Sequence, residues 1–427
     1  MSDLRPRTRA ARRAAERRAG IARHGRLPRS RPWKSILAVL ATCLAVVSVS
    51  GASLAAIAVR GITDNIETVQ LIEETPGPPP NIAAMDGGFN IFIAGSDTRK
   101  DQGYAGDTDT ALNDVNLLLH VSQDHSNAVA VSIPRDLVIP FPACPKEDGN
   151  GSYSAASGLP INSALSRGGL PCAVLAVEEL TGLDIQFAGM ITFQGVIEMS
   201  NAVGGVPVCV NDAIRDPYTG LDLPEAGTYN LAGAEALAFL RSRHGVGDGS
   251  DLGRISSQQV YLSSLVRTLK SGETLGDLGK VYGIASAATR NMTLSSSLGS
   301  LDTMAAIAMA LKDIPLEKVT FVQYPGTTGL GGMYEGKVAP ITAQADALFD
   351  YIRSDQPFAL DENALRAGAV ADPNAPVTET PPPAAPTDPS APADPSAPAA
   401  DPNAAGVQTL SGVKGQTAAD YTCSQAN

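Results

Sequence analysis

The fold is decided between Phe89 and Asp136, where three apolar runs each meet polar residues at one end: FNIFIAGSDTR (Phe89–Arg99), NDVNLLLHV (Asn113–Val121) and AVAVSIPRD (Ala128–Asp136). Short apolar runs bounded by turn residues read as buried strands. Further runs of this kind are Phe187–Phe193, Val206–Val210 and Val319–Tyr324. Between them, helical patterns are expected at Cys172–Leu180, Val196–Ala202, Leu231–Arg243, Asp251–Leu269, Thr303–Leu311 and Ile341–Ile352. This alternation predicts one α/β domain over residues 85–367, with a mixed central β-sheet flanked by helices on both faces.

N-terminal to that domain the composition changes abruptly. Residues 1–34 carry eleven Arg and one Lys against Asp3 and Glu16, whereas the whole chain has a net charge of −12. The arm therefore sits on an otherwise acidic protein. Ser35–Val59 follows with 25 uncharged residues, SILAVLATCLAVVSVSGASLAAIAV. As a helix at about 1.5 Å per residue it would reach roughly 38 Å, enough for a hydrocarbon core of about 30 Å. A cleaved signal peptide would have a shorter apolar region.

Basic flanks stay in the cytoplasm, so residues 61–427 are expected outside the membrane. Beside a span, the basic arm reads as a topology signal that meets anionic lipid, not as a nucleic-acid tail. Residues 60–84 form a stalk that turns Pro-rich, and residues 368–427 form a Pro/Ala/Asp-rich disordered tail ending in a Cys-containing segment. Cys144, Cys172, Cys209 and Cys423 lie in the outer part, where disulfides persist. Cys144 with Cys172 is the favoured pair, which would leave Cys209 for Cys423 unless Cys423 bonds between chains.

The motifs exclude several chemistries. Only four His occur, and GxSxG, HExxH and a P-loop are all missing. What remains is acid and arginine at the ends of strands, the place where open α/β sheets bind ligands. Asp97 and Asp114 form a candidate carboxylate pair for a hard divalent cation, Mg²⁺ or Mn²⁺. Arg99, Arg135, Arg241, Arg243 and Arg254 sit at element ends, and arginine is the side chain that grips phosphate with two hydrogen bonds. On an ideal helix Arg241 and Arg243 would point about 200° apart, but Gly245, Gly247 and Gly249 end the helix and free either to turn inward. Asp251, Arg254 and Gln258 make one polar stripe starting at the next helix N-terminus, where anions bind well.

Taken in order, GSDTR (Gly95–Arg99), the strand start at Asp114, SIPRD (Ser132–Asp136), INSALSRGG (Ile161–Gly169), NAVGGV (Asn201–Val206), LAGAEALAFLRSR (Leu231–Arg243) and DLGRISSQQ (Asp251–Gln259) resemble the LytR-CpsA-Psr family of cell-wall glycopolymer ligases. The likeness covers about residues 88–355. It implies a membrane-anchored enzyme that takes a glycan from a polyprenyl-pyrophosphate carrier and joins it to peptidoglycan, or to a surface protein, through a phosphodiester. It also implies an apolar tunnel for the lipid and Mg²⁺ at the pyrophosphate. Asp97 and Asp114 resemble the metal pair, Arg99 and Arg135 the first pyrophosphate arginines, and Arg241, Arg243 and Arg254 the later ones. Asn162, Asp251 and Gln258 also fall in motif positions, Asn162 and Gln258 as candidates for binding substrate and Asp251 as a catalytic candidate, and Asp97, Asp114 or Asp251 is the candidate base. Two departures stand out: the family's Ser-Asp-Thr reads Asn113-Asp114-Val115, and Ser257 stands where an Arg is usual. A hydrolase of the same lipid substrate and a non-catalytic lipid or polymer binder are the competing readings.

Overall fold

The structure, a computed structural model, describes residues 32–64, 66–72, 87–97, 112–275, 277–365, 368–376 and 407–427. Most of the basic arm, the Pro-rich part of the stalk, Arg99 and the Pro/Ala/Asp repeats lie outside these residues. The chain divides into two units, residues 1–60 and 61–427. In the first, helix α1 (Pro32–Thr63) contains an apolar stretch, Ile36–Ser53, long enough to cross a membrane. Its Leu37, Leu40, Leu44 and Val47 are all exposed.

The second unit is built on an eight-stranded mixed sheet. Its strands are β1 (Glu67–Val69), β2 (Phe89–Ser96), β3 (Asn113–Val121), β4 (Ala128–Ser132), β5 (Phe187–Thr192), β8 (Met292–Ser295), β9 (Val319–Gln323) and β11 (Gly415–Thr417). Across the sheet they run β1-β8-β5-β2-β3-β4-β9-β11. The pairs β1/β8, β5/β2 and β4/β9 are parallel and the others antiparallel. Both faces are covered because successive side chains alternate between them. Phe92, Leu118, Val129 and Val131 pack with Ala173, Val174 and Val177 of α2 (Ala164–Thr181) and with Leu348, Phe349 and Ile352 of α8 (Thr342–Arg353). Phe89, Ile91, Ala130 and Phe321 face Ile307 of α7 (Leu301–Lys312) and Leu262 and Val266 of α5 (Asp251–Lys270). Fully burying a side chain such as Phe92 or Leu118 contributes about 1.5–3 kcal/mol each.

Val206–Val210 is a strand, β6, but belongs to a second sheet of order β7-β6-β12-β10, with β7 at Gly227–Leu231, β10 at Ala369–Ala371 and β12 at Thr422–Ser424. It is reached from α3 (Phe193–Val203) through Gly204 and Gly205, at φ +92° and +91°. A Cβ on Gly205 would lie 2.5 Å from the Asn230 amide, so the NAVGGV turn requires glycine there. Helix α4 (Gly233–Arg241) leads from β7 towards α5, and α6 (Leu278–Asn291) precedes β8.

The expected boundary at 367 and the disordered tail from 368 are corrected. Residues 369–371 and 415–424 supply β10, β11 and β12, so the end of the chain completes both sheets. A composition dominated by Pro, Ala and Asp masks the short apolar residues Leu410, Val413, Ala418 and Cys423, all of which are buried. Cys144 is bonded to Cys172 and Cys209 to Cys423.

Candidate active site

The site begins with an irregularity in the register between β2 and β3. Gly95 pairs with Val115 and Ser96 with Asn113, so Asp114 is an extra residue on its strand. A bulge re-aims the side chains around it. Asp114 and Val115, although adjacent, both line the same cleft, while Asn113 is fully buried and its Oδ1 accepts from Leu165 N–H. Gly95 lies opposite, where a Cβ would come within 2.9 Å of the Val115 Cβ.

Arg135 follows β4 through Pro134 and closes on Asp114, its Nη1 donating to Oδ1. Its Nε lies 3.5 Å from Asp136 and 3.9 Å from Asp251. Burial pulls the guanidinium's pKa down, but Asp114, with Asp136 and Asp251 beyond it, outweighs that and holds it above its ordinary value.

Helix α4 ends at Arg241 because Ser242 is extended (φ −62°, ψ +134°). That break removes the helical angle between Arg241 and Arg243, and both line the cleft. Arg241 lies over the Phe193 ring at 4.3 Å, a cation–π contact, and Arg243 Nη2 lies 3.2 Å from Asp251 Oδ1. Helix α5 is capped by Ser250, whose Oγ accepts from Gly253 N–H, and its first turn brings Asp251 and Arg254 together at 2.6 Å. Arg254 Nη2 also donates to the Asp114 carbonyl at 3.1 Å. Burial lowers the Arg254 pKa against the pull of Asp251, with Arg243 and Arg135 adding to the lowering. Asp251 Oδ2 and Arg254 Nε are buried without a hydrogen bond.

These groups stand at one end of a cleft of about 540 Å³. Arg254, Gln258, Tyr261, Leu262, Leu265 and Leu269 line it on successive turns of α5, a run of roughly 22 Å at about 1.5 Å per residue. Along that run the lining changes from guanidinium and carboxylate to Leu269, Ile284 and Met292. The cleft is thus charged at one end and apolar along its length.

The remaining sequence candidates fall elsewhere. Asp97 sits just past β2, its Oδ1 accepting from Leu112 N–H at 2.8 Å, and is not among the residues lining the cleft. Asn162 does not line it either; its backbone N–H donates to Arg135 O and so fixes the turn that carries Arg135. Gln258 lines the cleft but spends its Nε2 donor on Leu240 O at 2.8 Å, tying α5 to α4. Ser257, the departure from the family arginine, bonds Ser424 Oγ at 2.6 Å and anchors β12 to α5. Asp97, just past the end of β2, and Asp114, on the adjoining antiparallel strand β3, offer hard carboxylate oxygens of the kind Mg²⁺ or Mn²⁺ takes. Among the described residues one trio of potential ligands lies together, Asp372 with Cys209 and Cys423, and its thiols are consumed in the disulfide.

Three residues gave no sequence signal as part of a site: Asp216 and Tyr218, which read only as the turn DPYTG (Asp216–Gly220), and His244 beside Arg243. Asp216 is fully buried and accepts from Ser242 Oγ (2.8 Å), Arg243 N–H (3.0 Å), His244 N–H (3.1 Å) and Tyr218 N–H (3.0 Å). It fixes the arginine loop. Tyr218 and His244 stack at 4.4 Å at the charged end of the cleft.

The chain is 32% identical over 294 residues to the cell wall biosynthesis protein LcpA of Corynebacterium glutamicum, covering 62% of this chain and 56% of that protein. It is 26% identical over 241 residues to the polyisoprenyl-teichoic acid–peptidoglycan teichoic acid transferase TagT of Bacillus subtilis, covering 55% and 69%. The chain spans about half the length of the first curated relatives it matches. Its fold is that of TagV from B. subtilis (TM-score 0.50, 21% identity, 64% of this chain and 99% of that one) and of gbs0355 from Streptococcus agalactiae (TM-score 0.51, 21% identity, 64% and 90%). The LytR_cpsA_psr family model matches residues 60–349, well over half of the sequence, and the chain belongs to that family.

Proposed function

We propose that this protein is a membrane-anchored, extracytoplasmic phosphotransferase. It moves a glycan from a polyprenyl-pyrophosphate carrier to a hydroxyl of peptidoglycan or of a surface protein. The observation that carries this reading is the single cleft, with four arginines and two aspartates at one end and an apolar lining along α5. A lipid pyrophosphate needs both in that order. Arg135, Arg241, Arg243 and Arg254 outnumber the carboxylates around them, Asp114, Asp216 and Asp251, and the surplus positive charge suits an anionic pyrophosphate.

The acceptor oxygen attacks the glycan-side phosphorus, and the bond from that phosphorus to the bridging oxygen breaks. Polyprenyl phosphate leaves and the glycan phosphate becomes a diester. Arg243 and Arg254, oriented by Asp251, and Arg135, oriented by Asp114, face the charge that grows on the phosphate oxygens. Asp114 Oδ1 is held by Arg135. Its Oδ2 is the atom we assign to receive the acceptor's proton, because Asp114 lines the cleft and Asp97 does not. Asp97 and Asp114 are the carboxylates that would hold Mg²⁺ or Mn²⁺, and the ion would offset phosphate charge; an Asp114 engaged on the ion would leave the proton to Asp251.

The eleven arginines before the apolar stretch support a cytoplasmic N-terminus, and the two disulfides support an oxidising location for the site. The test uses full-length protein in vesicles with a polyprenyl-pyrophosphate-linked glycan, Mg²⁺ and isolated peptidoglycan. Glycan attached to the wall with release of polyprenyl phosphate is expected. Arg135→Ala should lower that rate by about 10²–10³, as loss of an oriented charge does. Free glycan phosphate would instead mean a hydrolase, and substrate bound without turnover a binding scaffold.

A further inference from the structure

At the charged end, the cleft carries an aromatic rim for which the reaction as described has no use. Tyr218 is 78% exposed, more than any other large hydrophobic side chain among the described residues. Its position is nevertheless fixed. The hairpin Ile214–Asp216/Leu221–Leu223 that carries it is paired antiparallel and closed by Arg215–Asp222 at 2.9 Å. Tyr218 N–H donates to Asp216 Oδ1, while Oδ2 of the same carboxylate accepts from Arg243 N–H and His244 N–H. The Tyr218 ring stacks on the His244 ring at 4.4 Å with 37° between planes. One buried carboxylate therefore sets the distance between an aromatic face and a phosphate-facing arginine.

We infer that Tyr218, backed by His244, is a stacking platform for the sugar ring that the glycan-side phosphate bears. This rests on the function proposed above. With the pyrophosphate at Arg243 and Arg254 and the lipid running along α5 to Leu269, the third part of the substrate leaves by the charged end. There the cleft is open at Tyr218. A pyranose presents C–H bonds on one face, which suit an aromatic ring, and hydroxyls at its edge, which suit water and Thr219 beside the ring. A phosphate would need donors in place of the ring, and a polyprenyl chain would need the dry end. Tyr218 thus selects for a carrier that holds a sugar over the bare lipid pyrophosphate.

The experiment measures Kd of the full-length protein in detergent for two defined probes, farnesyl pyrophosphate and N-acetylglucosaminyl-pyrophosphoryl-farnesol. Wild type, Tyr218→Ala and Tyr218→Trp are compared after their Tm values are shown to agree. Tyr218→Ala is expected to weaken the sugar-bearing probe by about tenfold relative to the sugar-free one, the scale of one lost aromatic contact. Tyr218→Trp should keep the wild-type ratio. Equal losses on both probes, or none on either, would overturn the platform and leave the functional reading standing. Wild-type protein that binds neither probe would remove the functional reading and the platform with it.

Discussion

Arg254 reaches back one turn of helix α5 to Asp251, Nη2 to Oδ1 2.6 Å, with both side chains more than nine-tenths shielded from water. The same oxygen lies 3.2 Å from Arg243. One carboxylate therefore orients two guanidinium groups that would otherwise repel each other at close range. Asp251→Asn keeps the shape and removes the charge. Breaking a buried pair in this way costs about 3–5 kcal/mol, so the variant should melt well below wild type. Transfer should fall by more than its folded fraction explains, on the order of a hundredfold. Thermal melting and turnover on the same sample check this, and wild-type turnover in the folded variant would show that Arg243 and Arg254 need no carboxylate between them.

Asp216 gives the protein an acid limit. Its burial alone would raise the carboxyl pKa, but the Ser242 hydroxyl and the N–H groups of Arg243, Tyr218 and His244 outweigh that and lower it. A lowered folded value means stabilisation that is complete above the unfolded pKa of about 3.9 and lost as pH falls through the folded value beneath it. Stability should therefore drop with acid below about pH 4 in wild type. Asp216→Asn should be less stable at pH 7, because an amide cannot accept from all four donors, and should lack that part of the acid slope. Denaturant titrations between neutral and acid pH compare the two slopes directly.

Much of this was legible because the motifs lie where the chain changes element. The strand ends at Asp114 and Arg135 and the capped start of α5 at Asp251 were visible as polar residues closing apolar runs. Two things were hidden. The bulge at Asp114 depends on the register with Gly95, which no local pattern encodes. Asp216 looks like a turn residue, and only the fold brings it under Arg243, 27 residues later. The C-terminal strands were hidden for a third reason. Each has three residues, and their stability comes from pairing with β9 and β6, not from any periodicity of their own.

The two disulfides should differ in weight. Cys144–Cys172 spans 28 residues and Cys209–Cys423 spans 214. On chain entropy alone these closures are worth about 3.6 and about 5.4 kcal/mol. Cys423→Ser should therefore lower Tm more than Cys172→Ser, and it frees β12 from β6 as well. Differential scanning calorimetry of the two variants, with wild type under reducing conditions as the reference, ranks them.

Residues 425–427 brace the loop that joins Arg243 to Asp251. Gly247 N–H donates to Gln425 O at 2.8 Å, Asn427 N–H to Gly245 O at 3.2 Å, and Val246 pairs antiparallel with Ala426. Ala426 N–H in turn donates to Asn211 Oδ1 at 2.9 Å. Ala426→Pro removes that donor and forces φ near −65°, so the brace should detach while β12 stays held by the Cys209–Cys423 bond. Losing the three hydrogen bonds of the brace at the protein's edge costs about 3 kcal/mol, a shift of a few degrees in Tm for a domain of this size. The effect on transfer should be larger, about tenfold or more, because the loop sets where Arg243 points and a small misplacement of a charge is expensive. Ala426→Gly, which keeps the N–H, should retain most of the activity. Equal activity in the proline and glycine variants would mean that Asp216 alone suffices to hold Arg243.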